Sequence, residues 1–114
     1  MDRRSQLDDL IASLDRLLSI LEKDPACRWT DHFRGCLEEA RRLVNSGFTQ
    51  GCLNALSASI LSVYGGLGSF GDYAPIKKES DWSPSWTPIP GTEDLDSAAV
   101  EVFERALALR SVDS

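Results

Sequence analysis

The amino-acid sequence predicts an all-α protein, a four-helix bundle with one long irregular crossover, folded as a single domain over residues 1–114. Three observations predict it. Apolar residues recur at spacings of three and four in four separate segments, the period that lines one face of a helix. Residues that start and stop helices fall at the ends of those segments. Four of the five prolines lie together in one stretch, 65–92, between the third and fourth segments. A chain of this length buries roughly two thirds of the surface it exposes when unfolded, enough for one core.

The first helix is predicted at about 5–23. Leu7, Leu10, Ile11, Leu14, Leu17, Leu18 and Leu21 share a face, with acids and Arg16 around the rest. Ser5 followed by Asp8 resembles a capping box, and Pro25 stops propagation. Ile20 lies off the main stripe and permits a second apolar face. The second helix is predicted at about 31–46, with Thr30 as its N-cap and Phe33, Cys36, Leu37, Ala40, Leu43 and Val44 as its stripe. Gly47 reads as a left-handed cap residue, with Phe48 as its apolar follower.

The third helix is predicted at about 49–64, with Leu53, Leu56 and Ile60 in its stripe. Small residues on its other faces (Ala55, Ser57, Ala58, Ser59) allow close approach and predict the most enclosed helix of the four. Gly65 and Gly66 are expected to end it. The crossover 65–92 is expected to be irregular, with a short turn of helix or strand near Tyr73–Ile76 and an extended, polyproline-like path from Trp82 to Pro90. The fourth helix is predicted at about 93–110, its first turn crowded with Glu93, Asp94 and Asp96 where the helix dipole favours negative charge. Leu95, Ala99, Val102, Phe103, Ala106, Leu107 and Leu109 are its expected stripe.

Composition excludes several classes of function. Apolar residues make up 42% and charged residues 26%, ordinary globular values. The net charge is −6, and residues 81–114 carry −5 of it, with seven acids against two bases. Such a surface repels nucleic-acid phosphates and attracts a basic protein partner. No segment has the roughly 18 apolar residues of a membrane span, and residues 1–24 carry charges throughout rather than the apolar core of a secretory signal. Three cysteines without close spacing, Cys27, Cys36 and Cys52, do not form a disulfide framework. The expected location is the cytoplasm.

The most distinctive string is Tyr64-Gly65-Gly66-Leu67-Gly68-Ser69-Phe70-Gly71-Asp72. It resembles a motif of a small bacterial domain family of unknown function, in which an apolar helix ends in aromatic-Gly-Gly-x-Gly-Ser-aromatic and Asp follows shortly. That family usually has Met where Leu67 stands and often Asn where Gly71 stands. The resemblance implies a fold and a candidate site, and carries no activity with it.

No catalytic site is legible. The glycine string follows a helix, whereas a phosphate loop precedes one and supplies a Lys. Cys27, His32, Cys36 and Cys52 match no zinc spacing. His32 and Cys36 stand one turn apart, within reach of each other as a nucleophile and base, but no third orienting residue is identifiable. Glu38-Glu39 and Asp8-Asp9 diverge around their helices. No cofactor, metal or catalytic residue is expected.

The expectation is therefore a protein-interaction module, with an immunity or antitoxin-like protein that neutralises a basic toxin domain as its concrete form. The expected partner-binding residues are Asp72 and Tyr73 on the glycine turn, Asp81, Trp82 and Trp86 on the crossover, and Glu93 and Asp94 at the start of the last helix. An aromatic anchor beside an acidic rim suits a basic surface. Trp82 and Trp86 equally serve a structural end, fastening the crossover onto the bundle. Two alternatives stand beside this reading. One is a small-ligand-binding or enzymatic domain that uses the glycine-rich turn, with Ser69 and Asp72 as its polar groups. The other is a structural, homo-oligomeric module, in the simplest case a homodimer.

Overall fold

The structure, a computed structural model, describes residues 2–25, 27–65, 70, 73, 76–78 and 86–110, with 76–78 and 86 described by their backbone alone. Its elements are α1 (Arg3–Leu21), α2 (Thr30–Ser46), α3 (Gln50–Leu61), β1 (Ile76–Lys78), β2 (Trp86–Pro88) and α4 (Leu95–Leu109). The helices form an all-α bundle. Each packs on its neighbour in sequence, and α4 closes the ring on α1. Ion pairs fix antiparallel alignments. Asp15 and Glu22 of the first hairpin meet Arg41 and Arg34 of α2, and Arg16 of α1 meets Glu101 of α4.

α1 starts two residues earlier than the capping box suggests. The Asp2 carboxylate accepts the Ser5 amide at 2.7 Å and is itself the N-cap. It buries Leu7, Leu10, Ser13, Leu14, Leu17, Leu18, Ile20 and Leu21. Ile20, set apart as a second face, is consumed inside the chain's own core. α1 is thus the most enclosed helix, in place of α3, which buries only Leu53, Leu56, Ser57 and Ile60. The small residues of α3 have a different use: the Ser57 hydroxyl donates to the Ala106 carbonyl at 2.7 Å and pins α3 to α4.

α2 begins at Thr30 itself. Trp29 holds the cap position without a side-chain hydrogen bond, and the Thr30 hydroxyl is buried without a partner among the described residues. Gly47 has φ +92°, as its cap role requires, but its ψ of 159° lies in the extended, glycine-only region rather than the left-handed helical one. Thr49 caps α3 by accepting the Cys52 amide. That helix stops at Leu61, three residues short of expectation; Gly65 is not among the glycines with positive φ, and Gly66 lies outside the described residues. The Tyr64 amide turns back onto the Leu61 carbonyl, and the Phe70 amide onto the Val63 carbonyl at 2.7 Å. The reversal rests on these bonds and on the rings they bring together.

Within the expected irregular crossover, β1 and β2 pair antiparallel, with Ile76 opposite Pro88, Lys77 opposite Thr87 and Lys78 opposite Trp86. Ile76, Trp86 and Thr87 favour extended backbone, and Pro88, which lacks an N–H, ends the ribbon. The polyproline-like expectation for Trp86 to Pro88 therefore gives way to a paired strand. α4 starts at Leu95, two residues late. Thr92 is buried and donates to the Ile89 carbonyl at 2.6 Å, and a turn from Thr92 to Leu95 leads into the helix. Glu93 and Asp94 precede the helix, so only Asp96 lies in its first turn.

Candidate functional site

The end of the bundle where α2 begins, α3 ends and α4 begins is built of aromatic rings. Phe70 is 5% exposed and stands at their centre. Its ring centroid lies 4.8 Å from Phe33, 5.4 Å from Tyr64, 6.1 Å from Tyr73 and 6.2 Å from Trp29. Tyr64 continues the array to Phe103 of α4 at 5.2 Å. Most of these pairs are edge-to-face, the arrangement that the ring quadrupole favours. The two aromatic residues that bracket the glycine string, Tyr64 and Phe70, thus meet in space.

Both tyrosine hydroxyls in this cluster are committed. Tyr64 donates to the Ala99 carbonyl at 2.9 Å, and Tyr73 donates to the Asp24 carboxylate at 2.6 Å. Burial raises the pKa of each, and the Asp24 hydrogen bond raises that of Tyr73 further. Both remain neutral donors at any physiological pH.

Beside the cluster lies an apolar pocket of about 260 Å³. Tyr64, Phe70 and Tyr73 form one wall. Leu95, Ala99, Val100 and Phe103 of α4 form the other, with Asp96 as its one ionisable acid among the described residues. A separate groove along α4, bordered by Asp96, Ser97, Val100, Glu101, Glu104 and Arg105, shares Asp96 and Val100 with the pocket.

The outward face of α4 is the second component. Its buried face is Leu95, Ala98, Val102, Ala106 and Leu109. Leu107, expected in the stripe, is 41% exposed, and Val100 is 54% exposed. Asp96, Val100, Glu104 and Leu107 follow each other at steps of four, four and three, so they form one line down the helix. Acid and apolar residues alternate along it. Glu101, to the side, is paired with Arg16, but among the described residues no cation pairs with Asp94, Asp96 or Glu104.

Of the residues expected to bind a partner, Glu93 and Asp94 are exposed and directly precede α4; Glu93 accepts the Gly91 amide. Tyr73 is half-buried in the aromatic cluster and lines the pocket. Asp72, Asp81 and Trp82 lie outside the described residues, as do Ser69, Gly68 and the side chain of Trp86. Sequence reasoning missed Phe70 as a hub, Trp29 as part of the cluster, and the Val100–Leu107 line. The signal for the last was present. Once Ala106 faces the core, Leu107 is turned about 100° away from it.

A second depression holds the histidine and two cysteines, lined by His32, Cys36, Glu39, Cys52 and Ser59 among others. Its geometry is unsuited to nucleophilic catalysis. His32 Nε2 lies 3.0 Å from the Ser59 carbonyl, which only accepts, so Nε2 carries the proton. The Cys36 sulfur, 3.8 Å from the same nitrogen, faces an N–H rather than a basic lone pair. Burial pushes the Cys36 thiol up, away from thiolate. Hydrogen bonds with Thr49 lower the Cys52 thiol, with a smaller contribution from Arg42. Among the described residues no three His, Cys, Asp or Glu side chains are placed to hold a metal ion. No helix there is long and apolar enough to cross a membrane.

Fold and site together define a small four-helix bundle with an aromatic-capped end and an acidic helix face that exposes Val100 and Leu107. The chain belongs to the family described as Domain of unknown function (DUF6966), whose model matches residues 22–83. That match takes in α2, α3 and the glycine string, including Tyr64, Phe70 and Tyr73, and leaves α4 outside it. Neither a curated protein nor a solved structure matches the chain.

Proposed function

We propose that this protein is an interaction module that binds a basic protein, in its most concrete form an immunity or antitoxin-like protein that masks a basic toxin domain in the bacterial cytoplasm. The observation that carries the reading is the α4 line Asp96-Val100-Glu104-Leu107. Val100 and Leu107 add nothing to the core, yet stand exposed between carboxylates that no cation of the described chain neutralises. Apolar anchors ringed by unpaired acids complement a basic surface that has apolar hollows. The −5 charge of residues 81–114 draws such a partner in. The three cysteines are free thiols, which suits a reducing compartment.

The pocket beside the glycine string is the observation that favours a small-ligand binder instead. Its volume, about 260 Å³, falls below the ~300–1,000 Å³ of sites that enclose drug-sized ligands. It matches a single inserted side chain better than a metabolite. A second copy of the chain is a poorer occupant of the α4 face, because two such faces repel each other.

The test is co-purification of the protein with the products of its flanking genes, then calorimetric titration against any basic protein it retains; retention of none overturns the reading. Binding is expected to weaken with rising salt and to fall at least about tenfold in the Val100→Asp, Leu107→Asp double variant. Unchanged affinity in that variant, with its thermal unfolding also unchanged, overturns the reading.

A further inference from the structure

We infer that the aromatic pocket receives an arginine side chain of the partner, with Asp96 holding the guanidinium. This rests on the interaction reading above and names the chemical group that reading leaves open. The pocket is walled by Tyr64, Phe70, Tyr73 and Phe103, and the one acid that lines it among the described residues is Asp96. Aromatic walls attract a cation through the ring quadrupole and also pack against the alkyl stem that carries it.

The details favour arginine over a neutral side chain. Both tyrosine hydroxyls donate inward, Tyr64 to the Ala99 carbonyl and Tyr73 to Asp24, so neither is a free donor for a neutral acceptor. Among the described residues no cation lines the pocket or pairs with Asp96. Asp96 lines the pocket and is exposed in the first turn of α4, so a guanidinium that enters tip-first and lies against the rings meets its carboxylate. A planar guanidinium stacks on rings and bonds a carboxylate through two N–H groups at once, which an ammonium does not. The exposed Glu93 and Asp94, just before the helix, add attraction without filling the pocket.

The experiment is an NMR titration of the full-length chain, isotope-labelled at valine methyl groups and phenylalanine rings. The probes are N-acetyl-arginine methylamide and its neutral counterpart of the same shape, N-acetyl-citrulline methylamide. Saturable shifts at Val100 and Phe103 are expected with the arginine probe, and at least about tenfold weaker binding with the citrulline probe. Asp96→Asn should lower the arginine affinity to the citrulline level, while Asp8→Asn, at an exposed position of α1, leaves it unchanged. Equal binding of the two probes, or no saturable shift at the pocket with either, overturns the inference. Failure here is separable from failure of the parent reading. A partner that still depends on Val100 and Leu107 but shows no arginine selectivity at Asp96 leaves the interaction face standing and removes the pocket's role.

Discussion

α1 and α4 lie side by side and antiparallel, yet they use their apolar residues differently. α1 places its leucines and Ile20 inward and presents Asp8, Asp15, Ser19 and Glu22 outward. Two of those acids are tied by arginines of α2, Asp15 by Arg41 and Glu22 by Arg34. α4 keeps a comparable inner line but also sets Val100 and Leu107 outside, beside Asp96 and Glu104, which have no ion-pair partner among the described residues. A helix that only had to build the bundle would look like α1. The difference teaches where the molecule departs from what folding alone requires.

The contrast can be tested by substitution, beginning where the largest loss is expected. Phe70→Ala removes the hub of the aromatic end and should cost about 3–5 kcal/mol in urea unfolding. Leu14→Ala, wholly buried in α1, should cost about 2–5 kcal/mol by the same measurement. A loss under ~1 kcal/mol for either would mean that the site is not core. Gly91→Ala should cost about 1–2 kcal/mol, because φ is +86° there and an added Cβ would meet the Lys23 side chain at 2.9 Å. Val100→Ser and Leu107→Ser should each change stability by no more than about 0.5 kcal/mol, the value for a surface position. If they proved as costly as Leu14→Ala, α4 would have no outward apolar line and the comparison would fail.

The smallest expected effect concerns pH. Asp2 accepts the Ser5 amide, and that hydrogen bond holds its carboxyl below the ordinary value of 3.8. A depressed folded-state pKa contributes stability that is fully present above 3.8 and is lost as pH falls through the folded-state value. Asp2→Asn keeps the cap but cannot titrate. The acid limb of its stability profile should therefore be slightly flatter than that of the wild type, by thermal unfolding between neutral and acid pH. An identical acid limb would show that the cap contributes nothing there.

Most of the architecture was legible because it rests on periodicity. Leu7, Leu10, Leu14, Leu17 and Leu21 could face only one way, and the four helices follow from four such patterns. Their ends were less legible because caps compete locally. Ser5 and Thr30 both have the chemistry of an N-cap, yet Asp2 takes one role, and Thr30 turns its hydroxyl inward and leaves Trp29 at the other cap. The ribbon of β1 and β2 was missed because three-residue strands leave too few positions for alternation to show. At the proposed site, acidity drew attention to the start of α4, where Glu93 and Asp94 are exposed. Phe70 was hidden inside a glycine-rich string, where an aromatic residue reads as a spacer until the Phe70–Val63 backbone bond brings it beside Tyr64.

The Arg3 guanidinium reaches the far end of α4, donating to the Ala108 carbonyl at 2.8 Å and to the Arg110 carbonyl at 3.4 Å. Residues 3 and 110 are therefore neighbours at one pole, while the ring-lined hollow opens at the other. A fluorophore, bead or fused domain tethered near either residue would leave from the same side. Surface immobilisation through that pole keeps the opposite one facing solution, so a captured partner should meet it unhindered.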